Sequence, residues 1–283
     1  MYNKIGIVIK PPDKNIKERV INYLNEVVSL LRNLKKEIVL EKISAGLLNR
    51  GDGVLRNEIA SLCDLVLIIG GDGTFLSVAK DVAHNNIPIV GFNMGTLGFL
   101  TEFNIGQLSE ALKGILAGDY KIVKRKLIKL EYGNENVSAL NDIVISKGDI
   151  ARVIKLALII DREPIADITA DGLIISTPTG STAYSLSAGG PIVTPEVEGT
   201  IITPICPHSL TFRPIIIPDK SEIRVRMISN YAEVFITIDG QKKIPFLNGD
   251  EIKISSCKRK LKMISQNDMS YFNLISGKLK WGI

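Results

Sequence analysis

Gly70-Gly71-Asp72-Gly73-Thr74 is the first stretch of the chain whose residue types and spacing could do chemistry. It follows the unbroken apolar run Leu65-Val66-Leu67-Ile68-Ile69, which reads as a strand. It opens a segment whose periodicity predicts a helix over 74–84 that Thr74 can cap. Three glycines permit a sharp turn and a close backbone approach to a ligand, and the N–H groups exposed at a helix start favour phosphate. A carboxylate repels phosphate, so Asp72 in such a turn suggests a second role, either orienting a hydroxyl or accepting its proton during phosphoryl transfer. The alternative is a tight strand-to-helix turn in which Asp72 merely bonds nearby backbone. The sequence holds no GxxxxGK[ST] loop, no complete GxGxxG and no HRD or DFG set.

Two further segments carry unusual composition. Gly91-Phe92-Asn93-Met94-Gly95-Thr96-Leu97-Gly98-Phe99-Leu100 follows a short apolar strand, Ile87 to Val90, and reads equally as a ligand-contacting loop or as a glycine-bearing connection. Asp171 through Pro191, with Thr177-Pro178-Thr179-Gly180-Ser181-Thr182-Ala183-Tyr184 at its centre, has no charged residue between Asp171 and Glu196. Such a density of small residues and hydroxyls suits either a neutral hydrogen-bonding surface for a bulky polar ligand or a buried packing seam.

The elements that must position these segments fall into two halves. Before residue 120, strands at Ile5 to Ile9, Ile38 to Leu40, Leu65 to Ile69 and Ile87 to Val90 alternate with helices. Those helices are expected at Ile16 to Leu34, Val54 to Leu62, Thr74 to His84 and Gln107 to Leu116. Strands apolar on both faces and separated by helices predict a Rossmann-like, mostly parallel sheet covered on both sides. After residue 120 helical periodicity nearly vanishes. Strands are expected at Lys121 to Tyr132, Asp142 to Ser146, Val153 to Ile160, Gly172 to Ser176, Ile215 to Ile217, Ile223 to Met227, Ala232 to Ile238 and Glu251 to Ser255. With turn signals at Gly133-Asn134, Asp239-Gly240 and Asn248-Gly249, this half reads as an all-β sandwich. The tail, with Leu261, Met263, Tyr271, Phe272, Leu274 and Trp281, is apolar enough to pack back on the first domain. The expected division is therefore residues 1–120 plus about 260–283 for the α/β domain and 121–259 for the sandwich.

Composition bounds the function. The 283 residues, 45% of them hydrophobic and 23% charged, leave room for about two domains and exclude disordered or low-complexity classes. A net +5 from 35 basic and 30 acidic residues mildly favours anionic ligands and falls well short of a dedicated nucleic-acid binder. Cys63, Cys206 and Cys257 are isolated, so neither a disulfide framework nor a zinc site is expected, and no protein side chains are expected to hold a metal. His84 reads as a helix end and His208 as part of a turn after Pro207, and neither is expected to be catalytic. No apolar stretch is long enough for a membrane span and the N-terminus has no signal-peptide pattern, so a cytoplasmic protein without membrane partners is expected.

Taken in order, Gly70 to Thr74, Asn93 to Leu100, Asn141-Asp142, Asp171 to Pro191 and Asp239-Gly240-Gln241 resemble the successive motifs of NAD kinases. The first motif alone is shared with diacylglycerol, sphingosine and phosphofructokinase relatives; the long hydroxyl-rich segment is the specific one. A lipid kinase, the runner-up, leaves Asp171 to Pro191 unexplained, and a non-catalytic dinucleotide sensor is the third reading. The resemblance implies transfer of the terminal phosphate of ATP, or of polyphosphate, to the 2'-hydroxyl of the adenosine ribose of NAD, giving NADP. It implies Asp72 as the group that orients or deprotonates that hydroxyl, with Gly73 beside it and Gly70, Gly71 and Thr74 completing the phosphate turn. Asn141 and Asp142 are implied to hold the adenosine side, and Asp171, Thr182, Ala183, Tyr184 and Ser187 to line the dinucleotide site. Gln241 is implied to approach the substrate, and Arg152 is a plausible phosphate partner. Mg2+ or another divalent cation carried on the nucleotide, and a homodimer or homotetramer, complete the implied picture.

Overall fold

The computed structural model describes residues 2–95, 97–148, 153–229, 233–267 and 269–281. Contacts divide the chain into one unit of residues 1–124 with 261–283 and a second of residues 125–260.

In the first unit, strand β1 (Lys4–Ile9) leads into α1 (Lys17–Asn33), then β2 (Glu37–Leu40), α2 (Lys42–Leu47), β3 (Leu65–Ile69), α3 (Asp72–Asn85), β4 (Pro88–Asn93), β5 (Phe103–Asn104), α4 (Leu108–Ala117) and β6 (Lys121–Arg125). Its sheet runs β2, β1, β3, β4, then a strand from the tail, then β6, with β5 beside β4, among the described residues. The β2–β1, β1–β3, β3–β4 and β4–β5 pairs are parallel. Every residue of β3 is buried, as a strand covered by helices on both faces requires. Helix α1 turns Val20, Leu24, Val27, Val28 and Leu31 to this core at spacings of one helical face. The tail supplies β19 (Leu261–Ser265), parallel to β4, and α6 (Tyr271–Leu279).

Two local expectations fail here. Residues 54–62 form only a single 3₁₀ turn, Ile59–Ser61. Val54 is held as an extended bridge beside Glu41, its N–H on Leu40 and its carbonyl accepting from Lys42, which consumes the backbone groups a helix would need. The helix lies instead at α2, capped by Glu41, whose carboxylate accepts the Ile43 N–H at 3.0 Å. Helix α3 likewise begins two residues early: extended Gly71 occupies the cap position, and Thr74 lies buried in the first turn with its N–H on the Gly71 carbonyl at 3.0 Å.

The second unit is all β apart from short helical turns such as α5 (Tyr184–Ser187), as expected. One sheet orders β11 (Glu163–Ala170), β10 (Ile154–Ile160), β15 (Ile223–Met227), β18 (Glu251–Ser256), β7 (Ile128–Tyr132) and β8 (Glu135–Ala139). The other orders β14 (Ile215–Pro218), β13 (Gly199–Ile205), β12 (Gly172–Ser176), β9 (Asp142–Lys147), β16 (Val234–Ile238) and β17 (Lys242–Pro245). Inward residues of both sheets, among them Leu130, Leu156, Val225 and Ile254 from one and Ile143, Ile145, Leu173 and Ile236 from the other, form one core. The long run expected at Lys121 to Tyr132 breaks at Lys126-Leu127, and its halves join different sheets. Strand β11 escaped sequence reading because Asp161 and Arg162 make a tight turn at φ of 50° and 73° without a glycine to announce it.

Candidate active site

The glycine turn of the first unit stands at the C-terminal end of β3, where open α/β sheets place their ligands. Gly70 closes the strand by donating to the Phe92 carbonyl at 2.9 Å, and a side chain there would strike Thr74 Oγ1 at 2.7 Å. Gly71 and Gly73 are exposed, and Asp72 opens α3 between them.

The Asp72 carboxylate is engaged. Oδ2 accepts the Phe99 N–H at 2.9 Å, while Oδ1 accepts the Leu100 N–H, the Thr101 N–H and the Thr101 hydroxyl, each at 3.1 Å. The reading in which Asp72 bonds backbone is thus partly realised, but with a loop 27 to 29 residues away. Phe99 and Leu100, at the end of the second glycine segment, and Thr101 after it therefore hold the Asp72 carboxylate. Thr96 lies outside the described residues.

The second unit assembles its own cluster at the start of β9. Asp239 sits at φ 49° with Gly240 at φ 64°, the turn signalled after Ile238, and it joins β16 to β17, a strand the sequence reading did not foresee. Its Oδ2 accepts the Leu140 N–H at 2.8 Å, and its Oδ1 accepts those of Asn141 at 2.7 Å and Asp142 at 3.1 Å. The Asp142 carboxyl lies beside it, buried, and receives the Tyr184 backbone N–H. Burial first, and the Asp239 charge second, push the Asp142 carboxyl up to about 7. Asn141, Asp142, Ala183, Tyr184, Asp239 and Gly240 line a cavity of about 290 Å³. Of these lining residues Tyr184 is 46% exposed.

The hydroxyl-rich segment behaves chiefly as a packing seam. The Thr177 hydroxyl donates to the Leu140 carbonyl at 2.5 Å, and the Ser181 hydroxyl bonds both Pro178 and Val193 carbonyls. Ser185 pairs with Thr203 at 2.9 Å. These groups satisfy a buried loop. Gly180 shows why the loop must be small: a Cβ there would lie 2.1 Å from the Asn141 carbonyl oxygen. The segment thereby fixes Asn141 from behind and presents Ala183 and Tyr184 at the cavity.

Of the expected dinucleotide residues, the structure gathers Asn141, Asp142, Ala183 and Tyr184 around the cavity. Asp171 is ion-paired with Lys147 at 2.6 Å and does not line it. Thr182 donates to the Thr179 carbonyl at 3.3 Å, while Ser187 and Gln241 are exposed and likewise not among the lining residues. Arg152 lies outside the described residues. Asp239 is the residue to which sequence reading gave no role of its own. Its Asp-Gly pair was legible as a turn within a motif, and its partners at 140–142 lie about a hundred positions away.

The chain matches the ATP-NAD kinase N-terminal domain model over residues 5–120 and the ATP-NAD kinase C-terminal domain model over residues 140–266. It is 40% identical over 284 residues to the NAD kinase of Solibacter usitatus, covering 99% of this chain and 98% of that one. The chain belongs to the NAD kinase family. The NAD kinase of Geobacter metallireducens is 39% identical over 284 residues, 99% of each chain. Among solved structures, yeast NADH kinase complexed with NADH superposes with a TM-score of 0.85 at 28% identity, covering 99% of this chain and 88% of that one. An NAD kinase from Archaeoglobus fulgidus in complex with ATP gives 0.78 at 25% identity, covering 98% of each. The ATP-dependent phosphotransfer expected from the sequence motifs is therefore the activity of the chain's own family, and the two-part α/β and β-sandwich fold is that of its structural neighbours. No helix among the described residues is long and apolar enough to cross a membrane.

Proposed function

We propose that this NAD kinase uses Asp72 to take the proton of the adenosine 2'-hydroxyl of NAD while the terminal phosphoryl group of ATP is transferred to it. The carrying observation is the state of the Asp72 carboxylate. A carboxylate oxygen has about two lone-pair sites. Oδ1 already accepts three donors and Oδ2 only one, so Oδ2 is the oxygen with capacity for a substrate hydroxyl. In the step, the bond from O2' to the γ-phosphorus forms, the bond from that phosphorus to the bridging oxygen of ADP breaks, and the hydroxyl proton passes to Oδ2. The exposed backbone of Gly71 and Gly73 at the start of α3 suits the donor's phosphate oxygens, with Gly70 and Thr74 setting the turn.

In the second unit, Asn141, Ala183 and Tyr184 hold the adenosine side of NAD, and Asp142, titrating near neutrality, is equipped to donate as well as accept a hydrogen bond. Asp171, Thr182, Ser187 and Gln241 remain assigned to the dinucleotide by motif, and Arg152 to a phosphate by its charge. The yeast neighbour is an NADH kinase holding NADH and the archaeal one holds ATP, which supports a dinucleotide and a nucleotide triphosphate as the ligand pair. The turn offers N–H groups suited to phosphate and not a set of oxygen ligands, so Mg2+ fits as an ion carried on the donor, where it neutralises charge on the transferring group. The reading includes a cytoplasmic homodimer or homotetramer.

Purified protein with ATP, Mg2+ and NAD is expected to form NADP. Asp72→Asn is expected to lose turnover by about 10² to 10⁴, the range for a lost general base, with NAD affinity retained. Unchanged turnover in that variant would remove Asp72 from the chemistry.

A further inference from the structure

Asp72 is not placed by its own helix alone, and the residues that hold it have a role of their own. Thr101 is fully buried and contributes two of the four donors on the carboxylate, its backbone N–H and its hydroxyl. Thr101 is itself pinned: its carbonyl accepts the Gly98 N–H at 3.2 Å and the side-chain amide of Asn93 at 3.1 Å, and Asn93 ends β4, the strand next to β3. Space around it is set by absent side chains. A Cβ at Gly91 would lie 2.7 Å from the Thr101 methyl, and one at Gly98 would lie 2.1 Å from Asp72 Oδ1 and 2.3 Å from the Thr101 hydroxyl. Such approaches do not occur between real atoms, so any side chain at Gly98 must move the carboxylate.

All the surplus donors converge on Oδ1. That arrangement fixes the plane of the carboxylate and turns the lone pair of Oδ2 in one direction, at no reorganisation cost when the substrate arrives. We infer that Thr101, with Gly98 as the space that admits it, is a positioning residue for phosphoryl transfer, its hydroxyl adding to the backbone donors on Asp72 Oδ1 a side-chain contact that fixes the carboxylate's orientation, so that Oδ2 faces the 2'-hydroxyl. The inference rests on the proposal that Asp72 is the proton acceptor. It assigns Thr101 a part in turnover and none in holding NAD or ATP.

The test is steady-state kinetics with ATP, Mg2+ and NAD on Thr101→Val, Thr101→Ser, Gly98→Ala and the double variant Asp72→Asn with Thr101→Val. Valine keeps the shape and removes the hydroxyl; it is expected to lower kcat by about 10- to 100-fold, as small misplacements of a reacting group do, with KM for NAD unchanged. Serine returns the hydroxyl and is expected to restore most of kcat. In the Asp72→Asn background the valine substitution is expected to cost nothing further, because a residue that acts through another loses its effect when that partner is gone. Parent-level kcat in Thr101→Val overturns the inference. So does a loss that adds in full to that of Asp72→Asn, a raised KM with kcat intact, or a serine variant no better than valine. Should Thr101→Val fail to fold, Gly98→Ala decides: its methyl displaces Oδ1 directly, and parent-level kcat there overturns the inference equally. A parent enzyme that forms no NADP from ATP and NAD would instead refute the functional reading itself.

Discussion

The carboxyl of Asp142 gives a measurable signature of the second unit's cluster. It is 5% exposed and stands beside Asp239, whose own carboxylate is already committed to three backbone N–H groups. Burial, then the Asp239 charge, raise its titration from 3.8 to about 7, against a smaller pull downward from the Tyr184 N–H. Between these two values the folded chain holds a proton that the unfolded chain has released, so stability falls as pH rises and levels off above about 7. Each tenfold difference in proton affinity is worth about 1.4 kcal/mol, so the whole interval amounts to about 4 kcal/mol. About two of those decades lie between pH 5 and 7, which assigns about 3 kcal/mol to that span. Asp142→Asn keeps the shape, can still accept from Tyr184 and cannot ionise. The variant is therefore expected to gain about 3 kcal/mol on the parent when the pH is raised from 5 to 8. Urea unfolding at the two pH values, followed by circular dichroism on parent and variant, measures this directly. A gap between the two proteins that is the same at pH 5 and pH 8 would refute the argument, and a gap that widens in the parent's favour at pH 8 would reverse its sign.

Two further outcomes separate binding from folding at the same cluster. Asn141→Ala, which removes a cavity-lining amide that makes no other side-chain hydrogen bond among the described residues, is expected to raise KM for NAD roughly tenfold with kcat retained, the effect of one lost ligand hydrogen bond. Gly180→Ala drives a methyl to within 2.1 Å of the Asn141 carbonyl oxygen, a backbone atom that cannot swing aside, and is expected to destabilise the second unit by about 3 kcal/mol or more. Urea unfolding checks the latter, and a variant as stable as the parent would show that the 140–141 backbone moves freely.

The parts of the fold legible in the sequence were those fixed by local chemistry. Leu65 to Ile69 could be read as a buried parallel strand because five apolar residues admit no solvent face, and α1 because its apolar residues recur on one side. The misreadings share a cause in tertiary hydrogen bonding. Val54 has the local pattern of a helix start but is captured by Leu40 and Lys42, and the Asp161-Arg162 turn takes left-handed geometry that its residue types do not announce. Residue types singled out Asp72, since a carboxylate in a glycine turn is chemically conspicuous, whereas Asn141-Asp142 came from the resemblance alone. What the hydroxyl-rich segment does was not legible, because a hydroxyl satisfied by a carbonyl twelve residues away looks the same in sequence as one offered to a ligand.

Two acids, one in each unit, show the limit in one device used twice. Asp72-Gly73 and Asp239-Gly240 each read locally as an aspartate in a tight turn, and each aspartate accepts three backbone N–H groups from a distant loop, residues 99–101 in one case and 140–142 in the other. An anion caged by backbone dipoles holds a loop chiefly through main-chain donors that every residue type carries, which is why neither loop announced its partner. The consequences differ because the surroundings differ. The Asp239 cage stands beside Asp142, whose proton affinity is raised by burial first and by the Asp239 charge second. The Asp72 cage has the same division of N–H groups, two on Oδ1 and one on Oδ2, and adds the Thr101 hydroxyl to Oδ1, at the head of a helix whose turn suits phosphate. The same backbone cage thus stands beside a buried carboxyl in one unit and, with one added hydroxyl on Oδ1, leaves Oδ2 the less loaded oxygen in the other.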